Sequence, residues 1–261
     1  MGATIEGFGF ALRMAIDIFT VLSDRMNSYS QFGEDLLLWE YFGARTNGFF
    51  LEAGANHPTK LSQTWLFEQH GWKGILVEPV AKNCELLRQH RPGSRIFQCA
   101  LGAPEQCGRA QINVAGGDDV YSGLVVNDDI IVERKEEVDV RTLDEVLAEA
   151  GNPKLDLMSL DVEGFELQVL RGFDLMWHRP AILLIEDHLE HLLVHRHLAR
   201  NGYRLVKRTG VNNWYVPKRQ PFHMTTWRER LKLFQKMFLG LPFRKIRLSL
   251  RRRKHRIAIG D

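Results

Sequence analysis

From Ser30 to Val216 short apolar runs alternate with helix-length amphipathic segments, the rhythm of a parallel sheet covered by helices on both faces. The runs predict strands near 48–53, 74–78, 95–101, 155–161, 181–186, 203–208 and 212–216. Helices are expected over 62–71, 80–91, 142–150, 163–172 and 189–201. Only Thr209, Gly210 and Val211 separate the last two strands, too few residues for the helical crossover a parallel pair needs. The expected fold is therefore α/β: a seven-stranded, mostly parallel sheet closed by a C-terminal antiparallel hairpin. Residues 103–140 break the alternation with Gly116-Gly117-Asp118-Asp119, a Tyr-Ser-Gly turn and a charged run, and read as a mobile loop able to cover a site.

Helical extensions flank this body. Residues 1–27 carry Ile5, Phe8, Leu12, Ala15, Ile16, Phe19 and Leu22 at three- and four-residue spacing, a stripe suited to docking on the core. Residues 28–217 form the main domain, and residues 218–261 a basic amphipathic helical tail. Charge divides the same way. Of the 35 Lys and Arg and 32 Asp and Glu, the stretch 1–217 holds 21 and 30, whereas 218–261 holds 14 and 2. Such a tail suits an anionic membrane surface or a nucleic acid, although a solvated helix that aids solubility has the same composition. Over 226–256, Trp227, Leu231, Phe234, Phe238, Leu239, Leu241, Phe243, Ile246, Leu248 and Leu250 interleave with Arg and Lys as in an interfacial helix, which favours the membrane.

No apolar run reaches the length of a membrane span, and no basic segment leads into a cleavage site. Cys84, Cys99 and Cys107 form no CxxC pair and read as reduced packing residues. The expected location is the cytoplasm, peripheral at the inner membrane face if the tail docks there.

Chemistry gathers at the ends of the predicted strands. The first runs into Glu52-Ala53-Gly54-Ala55-Asn56, where Gly54 lets a ligand approach the backbone; positions 54, 56 and 59 do not complete a GxGxxG dinucleotide fingerprint. Glu52 is placed to accept a hydrogen bond from a cationic ligand, or to answer a local backbone or basic group. The second strand ends at Glu78-Pro79, a carboxylate able to take both hydroxyls of a ribose. The fourth delivers Asp161, Glu163 and Gly164. In an extended segment the two acids share a face, where they could orient an acceptor hydroxyl, draw its proton or hold a cation. Glu163 reads equally as the acidic first residue of the next helix. The fifth strand ends Glu186-Asp187-His188, with His191 and His195 at helical spacing; His188 is the best placed of these to act as a base. No metal site is predicted, but Asp161, Glu186 and His188 leave a divalent cation open as an alternative. His57 is similarly open.

Taken together, Ser30-Gln31-Phe32-Gly33-Glu34-Asp35, Glu52 to Asn56, Gly71-Trp72-Lys73-Gly74-Ile75-Leu76-Val77-Glu78-Pro79, Ser159-Leu160-Asp161-Val162-Glu163-Gly164 and Asn213-Trp214-Tyr215 resemble the FkbM family of methyltransferases across roughly residues 28–217. The resemblance implies a class I, Rossmann-like methyltransferase fold with S-adenosylmethionine as cofactor, and usually O-methylation of glycans or natural products. It implies that Glu52, Gly54, Asn56 and Glu78 bind cofactor and that Asp161 and Glu163 stand at the reaction centre, with His188 as a further candidate base. A hydroxyl of a sugar, glycan or glycolipid is the expected acceptor. The alternatives are a non-catalytic scaffold of this fold that binds membrane or RNA through its tail, and a nucleic-acid methyltransferase, for which no Asn-Pro-Pro-Tyr-like base-flipping motif is present.

Overall fold

The computed structural model describes residues 26–115, 132–189 and 192–240. The apolar stripe of residues 5–22, the Gly116–Asp119 and Tyr-Ser-Gly segments, His191 and the tail beyond Gly240 lie outside these residues.

The main sheet is built from β1 (Phe49–Ala53), β2 (Lys73–Glu78), β3 (Ser94–Gln98), β7 (Leu157–Leu160), β8 (Ile182–Glu186), β9 (Tyr203–Thr209) and β10 (Asn212–Pro217). Their spatial order is β3-β2-β1-β7-β8-β10-β9. The first five are parallel, and β10 runs antiparallel to both β8 and β9. This is the predicted mostly parallel sheet with its terminal hairpin. A second, small sheet holds β4 (Ala100–Leu101), β5 (Gly108–Ala115) and β6 (Val132–Arg141) in the order β4-β6-β5.

Successive strand residues point to opposite faces, and both faces are covered, so the strands are apolar nearly throughout. On β1, Leu51 joins the core formed with α4 (Leu143–Glu149), α5 (Glu166–Arg171) and α6 (Leu193–Arg200). Its neighbour Phe50 joins Leu38, Trp39, Leu66, Phe67 and Leu87 of α1 (Glu34–Tyr41), α2 (Trp65–Gln69) and α3 (Ala81–His90). A last helix, α7 (Trp227–Phe234), continues as a π-turn over Gln235–Leu239 and packs back on the body through Met237.

The structure corrects four expectations. The described flanks of 103–140 are not a loop: β5 and β6 pair antiparallel, with Ala110, Ile112 and Val114 facing Val138 and Val140 in a small core of their own. Their period-two pattern is diluted by charge on both faces of β6, with Lys135, Glu137 and Asp139 exposed and Arg134 and Glu136 half-buried. The stretch 95–101 is two strands in different sheets, parted at Cys99. The helix expected from 163 begins at Glu166, because Glu163 and Gly164 take left-handed conformations at φ 53° and 93°. Asp161 and Glu163 are therefore not successive residues of one extended face. Finally, α1 escaped prediction, since its eight residues show almost no segregation of apolar from polar side chains.

Candidate active site

Strands β1, β2, β7 and β8 all end at one edge of the sheet, and the chain winds in opposite senses on either side of the β1–β7 junction. Ligands bind at such a switch point. The cleft there encloses about 1010 Å³ of space between atoms, its open mouth included, and is lined by the β1 turn, the segment 60–63, the end of β2, Cys99 to Leu101, Ile112 of β5, and the β7 end from Ser159 to Phe165. Glu52, Gly54, Asn56, Glu78, Asp161 and Glu163 all lie on its wall.

The floor is set by backbone. Gly54 sits at φ 80° and donates its N–H to the Val77 carbonyl at 3.0 Å, while Asp161 N–H reaches the Ala53 carbonyl at 3.0 Å. A Cβ at Gly54 would stand 1.7 Å from the Asp161 carbonyl oxygen, so only glycine lets the two strand ends approach this closely. Asn56, also left-handed at φ 44°, follows. Its N–H donates to Glu78 Oε2 at 2.9 Å, and Glu78 Oε1 accepts from the Val80 N–H at 2.9 Å and from the Asn83 amide at 3.4 Å. Asn83 also donates to Asn56 Oδ1 at 3.1 Å. The carboxylate is thus clamped at the lip of the cleft.

Glu52 is used differently. It accepts from the Gln63 N–H at 3.0 Å, from Ser62 Oγ at 3.1 Å and from the Thr64 hydroxyl, with the buried Arg91 guanidinium at 3.9 Å. Its carboxylate holds the 62–64 rim in place. Gln63 in turn touches Ser159 of β7 through a hydrogen bond.

The reaction side of the cleft is acidic. Asp161 and Glu186 are hydrogen-bonded carboxyl partners, and Glu163, Glu166 and Asp187 are close enough to act on them. Burial and then the Glu186 charge hold Asp161 well above the usual carboxylate range. Burial first, then the neighbouring acids, pushes Glu163 up to about 7. Glu186 is also raised to about 7 by burial, although its hydrogen bond with Asp161 opposes the shift. Near neutrality the cluster therefore carries protons that isolated carboxyls would have lost. Glu166 braces the turn below it, accepting from the Gly164 N–H at 3.0 Å and the Val162 N–H at 3.3 Å. The sequence reading named neither Glu166 nor a pairing role for Glu186; Gly164 followed two residues later by an acid was the available signal.

His188 is exposed over 61% of its side chain, lies off the cleft wall and meets the cluster at Glu186, 3.5 Å away, close enough for its charge to act on Asp161 as well. His195 turns away from the cleft, with Tyr215 and Phe238 beside its ring. A shared histidine face on one helix is thus not formed by these two. His57 accepts the Thr59 and Lys60 N–H groups at 3.1 and 3.0 Å and shapes the first loop. Among the described residues, no three His, Cys, Asp or Glu side chains converge as a metal-binding group. Cys84 and Cys99 are buried and unpaired, their thiols pushed up to about 12 by burial.

The Ser30–Asp35 motif serves the scaffold. Asp35 accepts from Ser28, Ser30 and the Tyr29 N–H, and Glu34 accepts from Thr209 and Asn212 at 2.9 Å, tying α1 to the β9–β10 hairpin.

The motif order and this strand order together meet a family model: the methyltransferase FkbM domain matches residues 52–205. The chain belongs to the FkbM methyltransferase family. No curated protein matches it. Among solved structures, a TehB-like SAM-dependent methyltransferase from Corynebacterium glutamicum is 12% identical, over 82% of this chain and 99% of that one, at a TM-score of 0.39. A methyltransferase from Geobacter sulfurreducens is 11% identical, over 78% and 87%, at 0.40. A precorrin-6y C5,15-methyltransferase from Geobacter metallireducens is 11% identical, over 65% and 78%, at 0.35. Likeness at this level carries no weight for substrate or residue roles.

The family implies S-adenosylmethionine, and the residues fit it. The cleft offers a clamped carboxylate for a vicinal diol at Glu78, a backbone floor without a side chain at Gly54, and carboxyl oxygens at Asp161 and Glu163 that face the same space. Glu78→Ala is expected to weaken cofactor binding by about 1.5–3 kcal/mol, the scale of a lost charged hydrogen-bonding partner. Calorimetry with S-adenosylmethionine checks this, and unchanged affinity with a normal melting curve removes Glu78 from the site.

The raised acids also make a stability prediction. A carboxyl whose folded pKa exceeds its unfolded value stabilises the fold fully below the unfolded value of 4.5 and loses that contribution as pH rises through about 7. Glu163→Gln mimics the protonated form at every pH. Its melting temperature should gain on the wild type between about pH 5 and pH 8. A difference that does not change with pH across that window contradicts the placement of Glu163 in the cluster.

Proposed function

We propose that the protein transfers the methyl group of S-adenosylmethionine to a hydroxyl oxygen of a sugar, glycan or glycolipid-type acceptor. The observation that supports this most is the carboxyl cluster in the cleft, with Glu163 brought to about 7 and Asp161 beside it. When bound, S-adenosylmethionine supplies a methyl group already activated by its sulfonium.

The chain's own residues then have orientation and proton transfer to perform. Glu78 holds the ribose hydroxyls and fixes the cofactor's position along the edge of the sheet. Asp161 and Glu163 hydrogen-bond the acceptor hydroxyl and align it, and whichever of the two is ionised takes its one proton as the methyl carbon's bond to oxygen forms and its bond to sulfur breaks. A base whose pKa lies near the working pH is the efficient one for this step. Orientation contributes much of the rate.

The acidic cluster also selects the acceptor class. A neutral polyol finds several hydrogen-bond acceptors there, whereas a phosphodiester backbone meets like charge. That disfavours a nucleic-acid substrate. The test is transfer of labelled methyl from S-adenosylmethionine to a cell-envelope glycolipid and polysaccharide fraction. The expected label resists nuclease and mild base and is recovered as an O-methyl sugar after acid hydrolysis. Label recovered in RNA, in protein or as a base-labile ester overturns the reading.

A further inference from the structure

We propose that the outward face of α7 and its π-turn docks on an anionic lipid bilayer, independently of which acceptor is methylated. The helix has two apolar sides. One faces the body: Met237 is fully buried, and Leu233 packs with it in a cluster with Leu189, Leu192 and Leu205. The other carries Trp227, Leu231 and Phe234, at spacings of four and three, continued by Phe238, one edge of which meets the His195 ring of the body, and by Leu239. These side chains are exposed by 69, 49, 53, 37 and 59%, in that order. A helix that needed only to cover its own domain would be polar on this second side.

The stripe is held rigidly. Thr226 caps the helix, donating its N–H to Glu229 Oε2 at 2.7 Å and accepting the Glu229 N–H at 3.3 Å. Lys207 of β9 pairs with Glu229 at 3.6 Å and donates to the Met224 carbonyl at 3.2 Å. Thr225 donates to the Val206 carbonyl at 2.9 Å. The apolar face is therefore presented in one orientation by the sheet beneath it.

Charge decides what covers it. Arg228, Lys232 and Lys236 are exposed beside the stripe, with the Arg228 guanidinium 5.5 Å from the Trp227 ring centre. Glu229, the one acid of the helix, is already taken up by the cap and by Lys207. Downstream, residues 241–261 add eight Lys and Arg against one Asp. A second copy of this face, or that downstream segment folded back, would set cation against cation. RNA would satisfy the cations but not two phenylalanines and two leucines. An anionic bilayer satisfies both, taking the apolar side chains below its headgroups while the Lys and Arg stay among the phosphates. No helix among the described residues is long and apolar enough to cross a membrane, so this one lies along the surface.

The test is co-sedimentation of the full chain with phosphatidylcholine vesicles, with and without roughly one-third phosphatidylglycerol. The wild type should pellet with the anionic vesicles and stay free of the neutral ones. Salt at about 0.5 M should loosen binding without abolishing it, since apolar insertion survives screening. The triple variant Trp227→Ser, Leu231→Ser and Phe234→Ser changes exposed side chains only, and should lower partitioning by about tenfold or more with an unchanged melting curve. Wild-type partitioning in that variant overturns the proposal, as does a wild type that stays in the supernatant. So does a wild type that elutes as a dimer and becomes monomeric in the variant, or one that binds RNA with a steep salt dependence and ignores vesicles.

Discussion

Asp161→Asn is expected to cut turnover by about a hundredfold or more while leaving cofactor affinity nearly unchanged. The two effects separate because Asp161 contributes to the cleft in two ways. Its backbone closes the floor, donating to the Ala53 carbonyl and packing its own carbonyl against Gly54. Those contacts survive any side-chain change. Its carboxyl, paired with Glu186, is the part that can receive a proton. Asparagine has the same shape and can donate its amide to Glu186, so the geometry is kept and the base is lost. Single-turnover rates with labelled cofactor, set beside calorimetric affinities, read the two quantities apart. Full activity in the variant removes Asp161 from the reaction. Sensitivity of the wild type to a chelator would move its role from base to cation ligand.

Gly54→Ala is expected to be the more damaging change, destabilising the fold by roughly 3–5 kcal/mol and abolishing measurable cofactor binding. Two penalties combine. Alanine at φ 80° is strained, and its Cβ would stand 1.7 Å from one backbone atom of Asp161 and 2.8 Å from another. Neither can swing aside as a flexible side chain would, so β1 and β7 must part at the switch point. Gly164 supplies the contrast: its φ of 93° is as unusual, but a Cβ there meets nothing within 4 Å. Its replacement by alanine should cost only the backbone strain, about 1 kcal/mol. Equal melting temperatures for the two variants would show that the close approach at Gly54 is not what makes glycine necessary.

Much of the fold was legible because its central strands are buried on both faces. Runs such as Phe49-Phe50-Leu51 and Ile182-Leu183-Leu184-Ile185 admit few other readings, and the short link between β9 and β10, two residues in the structure, forces antiparallel pairing. The β5–β6 pair was not legible. Its inward residues are small or few, its outward residues charged, and the partner that makes it a sheet lies at Ala100–Leu101. The cleft followed the same division. Glu52, Gly54, Asn56, Glu78, Asp161 and Glu163 line one cleft because strand ends converge by topology alone. What each carboxylate does was hidden. The turn of Glu52 toward Ser62 and Thr64, the Asp161–Glu186 pairing and the bracing of Gly164 by Glu166 depend on loop conformations that spacing does not encode. His188 and His195 misled for a related reason. The helix begins only at Leu193, so their spacing never became a common face.

Arg91 gives the rim of the cleft a different mechanical character from an ordinary loop. Its side chain is wholly buried, bonded to Glu68 at 2.7 Å, the Pro58 carbonyl at 3.0 Å, Ser62 at 3.3 Å and Thr64 at 2.9 Å, with Glu52 nearby. All of these partners fall within residues 52–68, the segment that runs from the end of β1 through the rim into α2. If the 58–64 rim lifted by itself, the Arg91 guanidinium and the Glu52 carboxylate would lose mates inside the protein, which costs several kcal/mol. Partial opening therefore offers no cheap intermediate between closed and unfolded, and the rim shares the cooperativity of the whole domain. Across the cleft, the small β4–β5–β6 sheet forms part of the opposite wall through Leu101 and Ile112.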